Sequence, residues 1–312
     1  MKFIYVLLLL LPHSIALATE IPDYPADKIA ANTYVIHGPL EFPNEKNMGF
    51  MNNPGFVITA DSVVVIDPGS SLYTGKMVLR QIRKITDKPV SHVLNTHIHG
   101  DHWLGNQAFA EAFPKAQIMA HPDMIAAAKK SEASRWISLM ENLTKGATKG
   151  TKAVIPAIAI KNDFEFKTGG IRFKVYAPAK AHSKTDVMIH VLEESVVFLG
   201  DNVLSGRIPG MGDASFRGNM KACDVASGIS ARHFVPGHGQ TGKVDIVKTF
   251  KNYLDIVYSQ AAQFYDEGQS DFEMKPRIVE QLKTFHHWAG FEEEVGHHVS
   301  LAVLEAEKAA FE

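Results

Sequence analysis

Within six consecutive residues, His97-Ile98-His99-Gly100-Asp101-His102, the chain carries three imidazoles and a carboxylate just after the apolar run Val93-Leu94 and the pair Asn95-Thr96. Each of these side chains brings a polar group that must find a partner once it leaves water. Packing alone has no use for so many at once, whereas a metal ion satisfies them together. In an extended or tightly turned segment, residues i and i+2 point the same way, so His97 and His99 can grip one ion. Asp101 and His102 lie further round the turn and aim elsewhere. One tetrahedral ion cannot use all four and keep a position open for chemistry, so the cluster points to two neighbouring ions, each drawing further ligands from distant strand ends.

Cysteine usage narrows the ligand type. Cys223 is the only cysteine in 312 residues, so no internal disulfide is available and the metal ligands must be His and carboxylate. Cys223 itself falls in the helical stretch Met220 to Ile229 and reads as a small buried hydrophobe. His182, Asp201 and His238 are the available further ligands. They sit in Ala181-His182-Ser183, Gly200-Asp201-Asn202 and Pro236-Gly237-His238-Gly239, at strand-to-loop junctions where small residues let the backbone come close. His37, His92, His190 and His233 read as ordinary strand histidines, and His121 before Pro122 as a turn cap. Adjacent residues diverge by about 100° on a helix, so His286-His287 and His297-His298 are not read as a second metal site.

The first eighteen residues read as a leader rather than as fold. Lys2 is followed by an apolar run from Phe3 to Leu11 and by the small-x-small pattern Ala16-Leu17-Ala18. This predicts a signal peptide over 1–18, export to a compartment such as the bacterial periplasm, and no stable membrane association once the leader is removed. Loss of Lys2 takes the formal charge from −2 to −3. So weak a field excludes nucleic acid as an expected partner and leaves a small-molecule substrate. With 46% hydrophobic and 21% charged residues, the remainder has the composition of a folded globular protein.

Strand signals run through Thr33 to His37, Gly55 to Thr59, Ser62 to Asp67, Val90 to Leu94 and Ala116 to Ala120. Between the first two, Glu41 to Pro54 is rich in Pro, Asn and Gly and reads as a mobile flap. Asp67-Pro68-Gly69 ends its strand, Ser70-Ser71 can cap the following helix, and Met77, Leu79, Ile82 and Ile85 lie at helical spacing. A helix is expected over Ala108 to Phe113 and a long one over Asp123 to Lys145. Two hairpins follow, Phe164 to Lys167 with Ile171 to Val175 around Gly169-Gly170, and Val187 to Leu192 with Ser195 to Leu199. A last strand, His233 to Val235, precedes helix from Lys243, with further helices over Pro276 to Phe285 and Val299 to Phe311. The predicted organisation is a 19–242 main domain and a helical region, 243–312, packed on it.

The order H-x-H-x-D-H, a lone His, an Asp in Phe198-Leu199-Gly200-Asp201, and Pro236-Gly237-His238-Gly239 resembles the metallo-β-lactamase-fold hydrolases over roughly residues 30 to 240. Val64-Val65-Ile66-Asp67-Pro68-Gly69 is similar to that superfamily's first signature. The resemblance implies an α+β class, four-layer αβ/βα sandwich with the helical region appended. By position, His97, His99 and His182 would hold one zinc ion and Asp101, His102 and His238 a second, with Asp201 bridging. The position where the best-known β-lactamases carry Cys matches Asp201, as in glyoxalase II-like, lactonase-like and phosphodiesterase-like members. Asn53 to Val57, Thr96 to Asn106, Arg207-Ile208-Pro209 and Val299 to Glu305 resemble an exported group named quinoprotein relay system zinc metallohydrolases.

Such a ligand set implies a zinc metallohydrolase in which two cations bring a shared water's pKa towards neutrality and Asp101 orients the resulting hydroxide. Iron or manganese also suits an all-N/O set. The expected substrate carries an ester, thioester, lactone or amide-type bond. The alternatives are a β-lactamase in the strict sense, a glyoxalase II-like thioesterase, and a non-catalytic metal-binding accessory protein of a periplasmic redox pathway. Asp67 and Asp186 are the expected acceptors for the ring N–H that a ligating His turns away from its metal. Arg207, in the Gly-rich loop with Asp213, Ser215 and Arg217, and Trp103 beside His102 are the expected substrate contacts.

Overall fold

Val63, Val64, Val65 and Ile66 are all buried. Strand side chains alternate between faces, so a strand buried throughout must lie between two layers. Val64 and Ile66 enter one core and Val63 and Val65 another. The computed structural model describes residues 20–311. The predicted leader, 1–18, lies outside the described residues.

Among the described residues two sheets form. The first takes β1 (Asp27–Lys28), β2 (Thr33–Val35), β3 (Gly55–Ile58), β4 (Val63–Ile66), β5 (Val90–Leu94), β6 (Gln117–Ala120) and β7 (Ile158–Ala159) in chain order. It is antiparallel from β1 to β4 and parallel from β4 to β7. The second contains β8 (Glu165–Thr168), β9 (Ile171–Tyr176), β10 (Met188–Val191), β11 (Val196–Phe198) and β12 (His233–Val235), in reverse order across the sheet. All its pairings are antiparallel except β11 with β12.

Val57, Val64, Ile66 and Leu94 meet Phe173, Val175, Ile189 and Phe198 between the sheets. On the outer face of the first sheet lie α1 (Leu72–Arg83), then α2 (Gly100–Trp103) and α3 (Asn106–Ala112). Ser71 caps α1 in a reciprocal box with Thr74, as its sequence predicts. The result is the αβ/βα sandwich that the resemblance implied.

The single helix expected over Asp123 to Lys145 is instead three pieces: α4 (Pro122–Ala127), a π-helical turn over Ala128–Glu132, and α5 (Ala133–Leu143). The extra residue of a π turn resets the phase of the helix. Met124 before it, Ala128 at its start and Met140 after it then reach the same core around Trp103. His121 caps α4, as expected.

Outside the second sheet, α6 (Phe216–Gly228), α7 (Val244–Asp266), α8 (Asp271–Gln281) and α9 (Phe291–Ala310) share one core with Met188, Val197 and Phe234. Helix α8 begins earlier than Pro276 because Ser270 and Glu273 form a capping box. Helix α9 begins at Phe291, directly after left-handed Gly290, rather than at Val299.

His298 of α9 lies fully buried in that core, 2.6 Å from the Tyr253 hydroxyl at Nδ1 and 2.9 Å from the Pro209 carbonyl oxygen at Nε2. Nε2–H therefore donates to Pro209 and Nδ1 accepts from Tyr253. Burial pushes the imidazole down to about 4. An unfolded histidine titrates near 6.5, so its contribution is complete above that pH and is lost as pH falls from about 6.5 to about 4. The loss amounts to about 3 kcal/mol. Urea midpoints at pH 7 and pH 4.5 should differ more for the wild type than for His298→Gln; equal differences would exclude this origin.

Candidate metal centre

Strand β4 ends at Ile66, and Asp67 adopts a left-handed backbone (φ 50°) that turns its carboxylate back across the end of β5. Asp67 Oδ1 accepts from the Thr96 amide at 2.8 Å, and Oδ2 accepts from Thr96 Oγ1 at 2.7 Å and from His102 Nδ1 at 2.8 Å. The Ile98 amide donates to Thr185 Oγ1, and Trp103 Nε1–H donates to the Ile98 carbonyl. The turn from His97 to His102 is thus held by buried polar contacts at both ends. Strands β10 to β12 deliver the other ligands: His182 before β10, Asp201 in the short 3-10 turn after β11, His238 after β12.

Seven side chains converge in two groups, His97 with His99, His182 and Asp201, and Asp101 with His102 and His238. His99 is half-buried and the other six are buried. His182 Nε2 stands 2.9 Å from His99 Nδ1 and 3.4 Å from Asp201 Oδ2. His97 Nε2 is 3.9 Å from the same oxygen. In the second group, His238 Nε2 and His102 Nε2 lie 3.2 and 3.3 Å from Asp101 Oδ2. Asp201 touches both groups, with Oδ1 3.1 Å from His102 Nε2 and Oδ2 3.3 Å from His238 Nε2.

These donors fit metal ions. Tetrahedral bonds of about 2.0–2.1 Å place ligand atoms roughly 3.3 Å apart, within the range of spacings just given. His97 Nε2, Asp101 Oδ2 and Asp201 Oδ1 are buried and make no hydrogen bond, which a cation between them would explain.

Electrostatics divide the cluster. Burial, reinforced by His102, holds His97 well below the usual imidazole range, and burial takes His182 down to about 3, so both present lone pairs at neutral pH. Burial opposes charge on His102 and His238, yet Asp201 and Asp101 raise both, His102 well above its ordinary value. Burial would likewise raise Asp101 and Asp201, but the neighbouring His102 and His238 keep both carboxyls well below the usual range. The raised proton affinity of His102 and His238 shows that the carboxylates favour positive charge between them, the role a cation can take over.

Asp67 stands where the sequence reading put it, against the His102 ring at Nδ1. Asp67→Ala leaves a buried ring N–H without its acceptor and should weaken metal binding by roughly 10–100-fold. Zinc competition titration checks this, and unchanged affinity would rule the role out. Asp186 does not reach His182. Its carboxylate accepts from Ser183 N at 2.6 Å and Ser183 Oγ at 2.7 Å, bracing the turn that follows the ligand. Gly237 has no room for a side chain, since a Cβ there would stand 1.9 Å from Asp201 Oδ1.

A cavity of about 460 Å³ opens over the two groups, lined on its apolar side by Phe42, Met51, Trp136, Met140 and Leu143. Arg207 lines it too and is 5% exposed, without an ion pair among the described residues. Its Nη1 donates to the carbonyls of Leu40 and Glu41, and its guanidinium lies 4.7 Å from the Phe42 ring centroid. Trp103 does not line the cavity; it is fully buried beneath the turn, and Trp136 of α5 stands against the His99 ring instead.

The stretch Glu41 to Pro54 is not free along its length. Met48 and Phe50 are buried in the first sheet's outer core, and Asn53 Nδ2 donates to the Pro236 and Gly239 carbonyls. Met51 offers its carbonyl to His238 Nδ1 at 2.7 Å. Local composition could not show this, because Asn amides that look solvated in sequence are bonded to backbone far along the chain. Sequence reasoning named Asp213 only as a member of the Gly-rich loop and missed its contact: Asp213 Oδ2 accepts from His99 Nε2 at 3.1 Å. Nothing in the local sequence signals a partner 114 residues away.

Residues 48–242 match the family model described as the metallo-beta-lactamase superfamily. A metallo-beta-lactamase from Pontibacter korlensis superposes with a TM-score of 0.59 at 19% identity, covering 74% of this chain and 98% of that one. The DIM-1 metallo-beta-lactamase superposes with a TM-score of 0.57 at 18% identity, covering 76% and 98%. At these identities the likeness is one of fold. A linear primary-alkylsulfatase of Pseudomonas sp. (strain ATCC 19151) is 39% identical over 49 residues, 16% of this chain and only 9% of that protein.

Proposed function

This chain belongs to the metallo-β-lactamase superfamily, and from that premise we propose that it is an exported hydrolase using two zinc ions to cleave an ester, thioester, lactone or amide-type bond of a small molecule. The observation that carries the reading is the convergence of seven His and Asp side chains in two groups joined by Asp201. Imidazole and carboxylate donors suit zinc. When bound, such ions supply Lewis acidity and activate water near neutral pH.

The chain's own groups do the rest. Asp67 and the Met51 carbonyl fix the rings of His102 and His238 so that both present Nε2 to the cavity. Asp101 Oδ2 faces His102 Nε2 and His238 Nε2, where it would hold the second ion, and the carboxylate's other oxygen can orient attacking water towards the substrate carbonyl. Arg207 places a buried positive charge at the cavity wall, where charge developing on the substrate oxygen is stabilised. Phe42, Trp136 and Leu143 exclude water from one side of the bound molecule.

A sulfate ester with an apolar tail is the second reading. The short match to an alkylsulfatase supports it, as do two large apolar side chains, Phe42 and Leu143, left 45% and 44% exposed at the cavity rim. A screen of zinc-loaded protein against β-lactams, lactones, thioesters, phosphodiesters and alkyl sulfates decides between these. Turnover confined to one class names the substrate. Absence of turnover in every class, with two zinc ions bound, would favour a non-catalytic metal-binding protein.

A further inference from the structure

His99 is the one ligand of the seven that is not buried, and it meets the ion-binding group through Nδ1. A neutral imidazole carries one N–H, so Nδ1 is free to bind a metal only when the proton sits on Nε2. Asp213 is the acceptor placed there, at 3.1 Å. Asp213 cannot hold itself in position: it lies between Gly212 and Ala214 in a loop where Gly210 and Gly212 both have open space beside the backbone.

The loop is held from behind by α9. His298 Nε2–H donates to the Pro209 carbonyl, four residues before Asp213. Glu305, on the same face of α9 at i+7, accepts from Ser215 Oγ at 2.8 Å, Phe216 N at 2.7 Å and Arg217 N at 3.1 Å, starting two residues after Asp213. A carboxylate at the first turn of α6 is favourable in its own right, because the unpaired amides there carry partial positive charge. The flanks are tied as well, Ile208 N to the Ala289 carbonyl and Ser215 N to the carbonyl of Ala181, the neighbour of His182.

We propose that α9 is a positioning element of the metal centre: His298 and Glu305 clamp the two ends of the 209–215 segment so that Asp213 holds His99 with Nδ1 turned to the ion. The inference rests on the metal-centre reading above. It assigns the C-terminal helix a task in metal binding beyond burying the second sheet, with Asp213, His298 and Glu305 as positioning residues.

Zinc affinity, measured by competition with a chromophoric chelator, tests this without reference to turnover. Asp213→Ala should weaken one of the two zinc sites roughly 10–100-fold, and Asp213→Asn, which keeps an acceptor oxygen, should recover part of the loss. Glu305→Ala should weaken the same site several-fold. The double variant Asp213→Ala/Glu305→Ala should bind zinc no more weakly than Asp213→Ala alone, because Glu305 acts through Asp213. Should Glu305→Ala not fold, Glu305→Gln, which retains one acceptor, takes its place in the cycle. Wild-type affinity in Asp213→Ala overturns the proposal, and so do fully additive losses in the double variant. A wild type that binds no zinc would remove the metal centre itself, a result distinct from zinc bound equally by wild type and Asp213→Ala.

Discussion

Asp101→Asn is expected to lose hydrolysis as completely as Asp101→Ala, about 10²–10⁴-fold in kcat. The asparagine keeps the shape of the side chain and one acceptor oxygen, but not the negative charge. Asp101 is 3% exposed, its Oδ2 makes no hydrogen bond, and its charge is held by His102 and His238 despite burial. A residue needed only for packing would tolerate the amide. One needed as an anionic ligand and proton acceptor would not. The fold should survive either change at neutral pH, because His102 and His238 can shed protons when their counter-charge is removed. Metal analysis should show fewer than two ions per chain in both variants. An Asp101→Asn protein with wild-type turnover and full metal content would refute the role.

Removing metal from the wild type should lower its melting temperature by about 10–20 °C. Each occupied site adds about 2.7 kcal/mol when free metal is 100-fold above its dissociation constant, hence about 5 kcal/mol for two. A domain of this size shifts by about 2–4 °C per kcal/mol. The pH sign follows from the raised histidines. Asp201 and Asp101 raise the proton affinity of both His102 and His238, so zinc, which needs the same Nε2 lone pairs, competes there with protons. Apparent affinity therefore rises with pH until both have titrated. Calorimetry in two buffers of different ionisation enthalpy measures the protons released, and metal analysis should give two ions per chain. A stoichiometry below one, or uptake without proton release, would contradict this account.

The seven candidate ligands were legible in the sequence because each is a polar group at the edge of an apolar strand, and four sit within one turn. Asp67 was legible for the same reason. Other parts of the site were not, since their meaning depends on partners distant in the chain. Trp103 and Trp136 illustrate the difference: the one adjacent to a ligand in sequence is buried below the turn, while the one 33 positions further along stands against His99. The Asn-rich stretch before β3 looked like a free flap, yet its amides and the Met51 carbonyl close bonds to backbone and ring atoms near His238.

The sequence by itself determined the layered α/β pattern, the exclusion of disulfides and thiolate ligands, and the seven His and Asp side chains that converge at the candidate metal centre. These follow from residue type and short-range spacing, which covalent geometry converts into direction. Only the tertiary structure decided which atoms of the seven face one another, that Arg207 ties down Leu40 and Glu41 from within the cavity wall, and that Asp213 stands behind His99. Those contacts join residues more than 100 positions apart, and their geometry is set by how two sheets and their helices pack, a property that no local stretch of sequence contains.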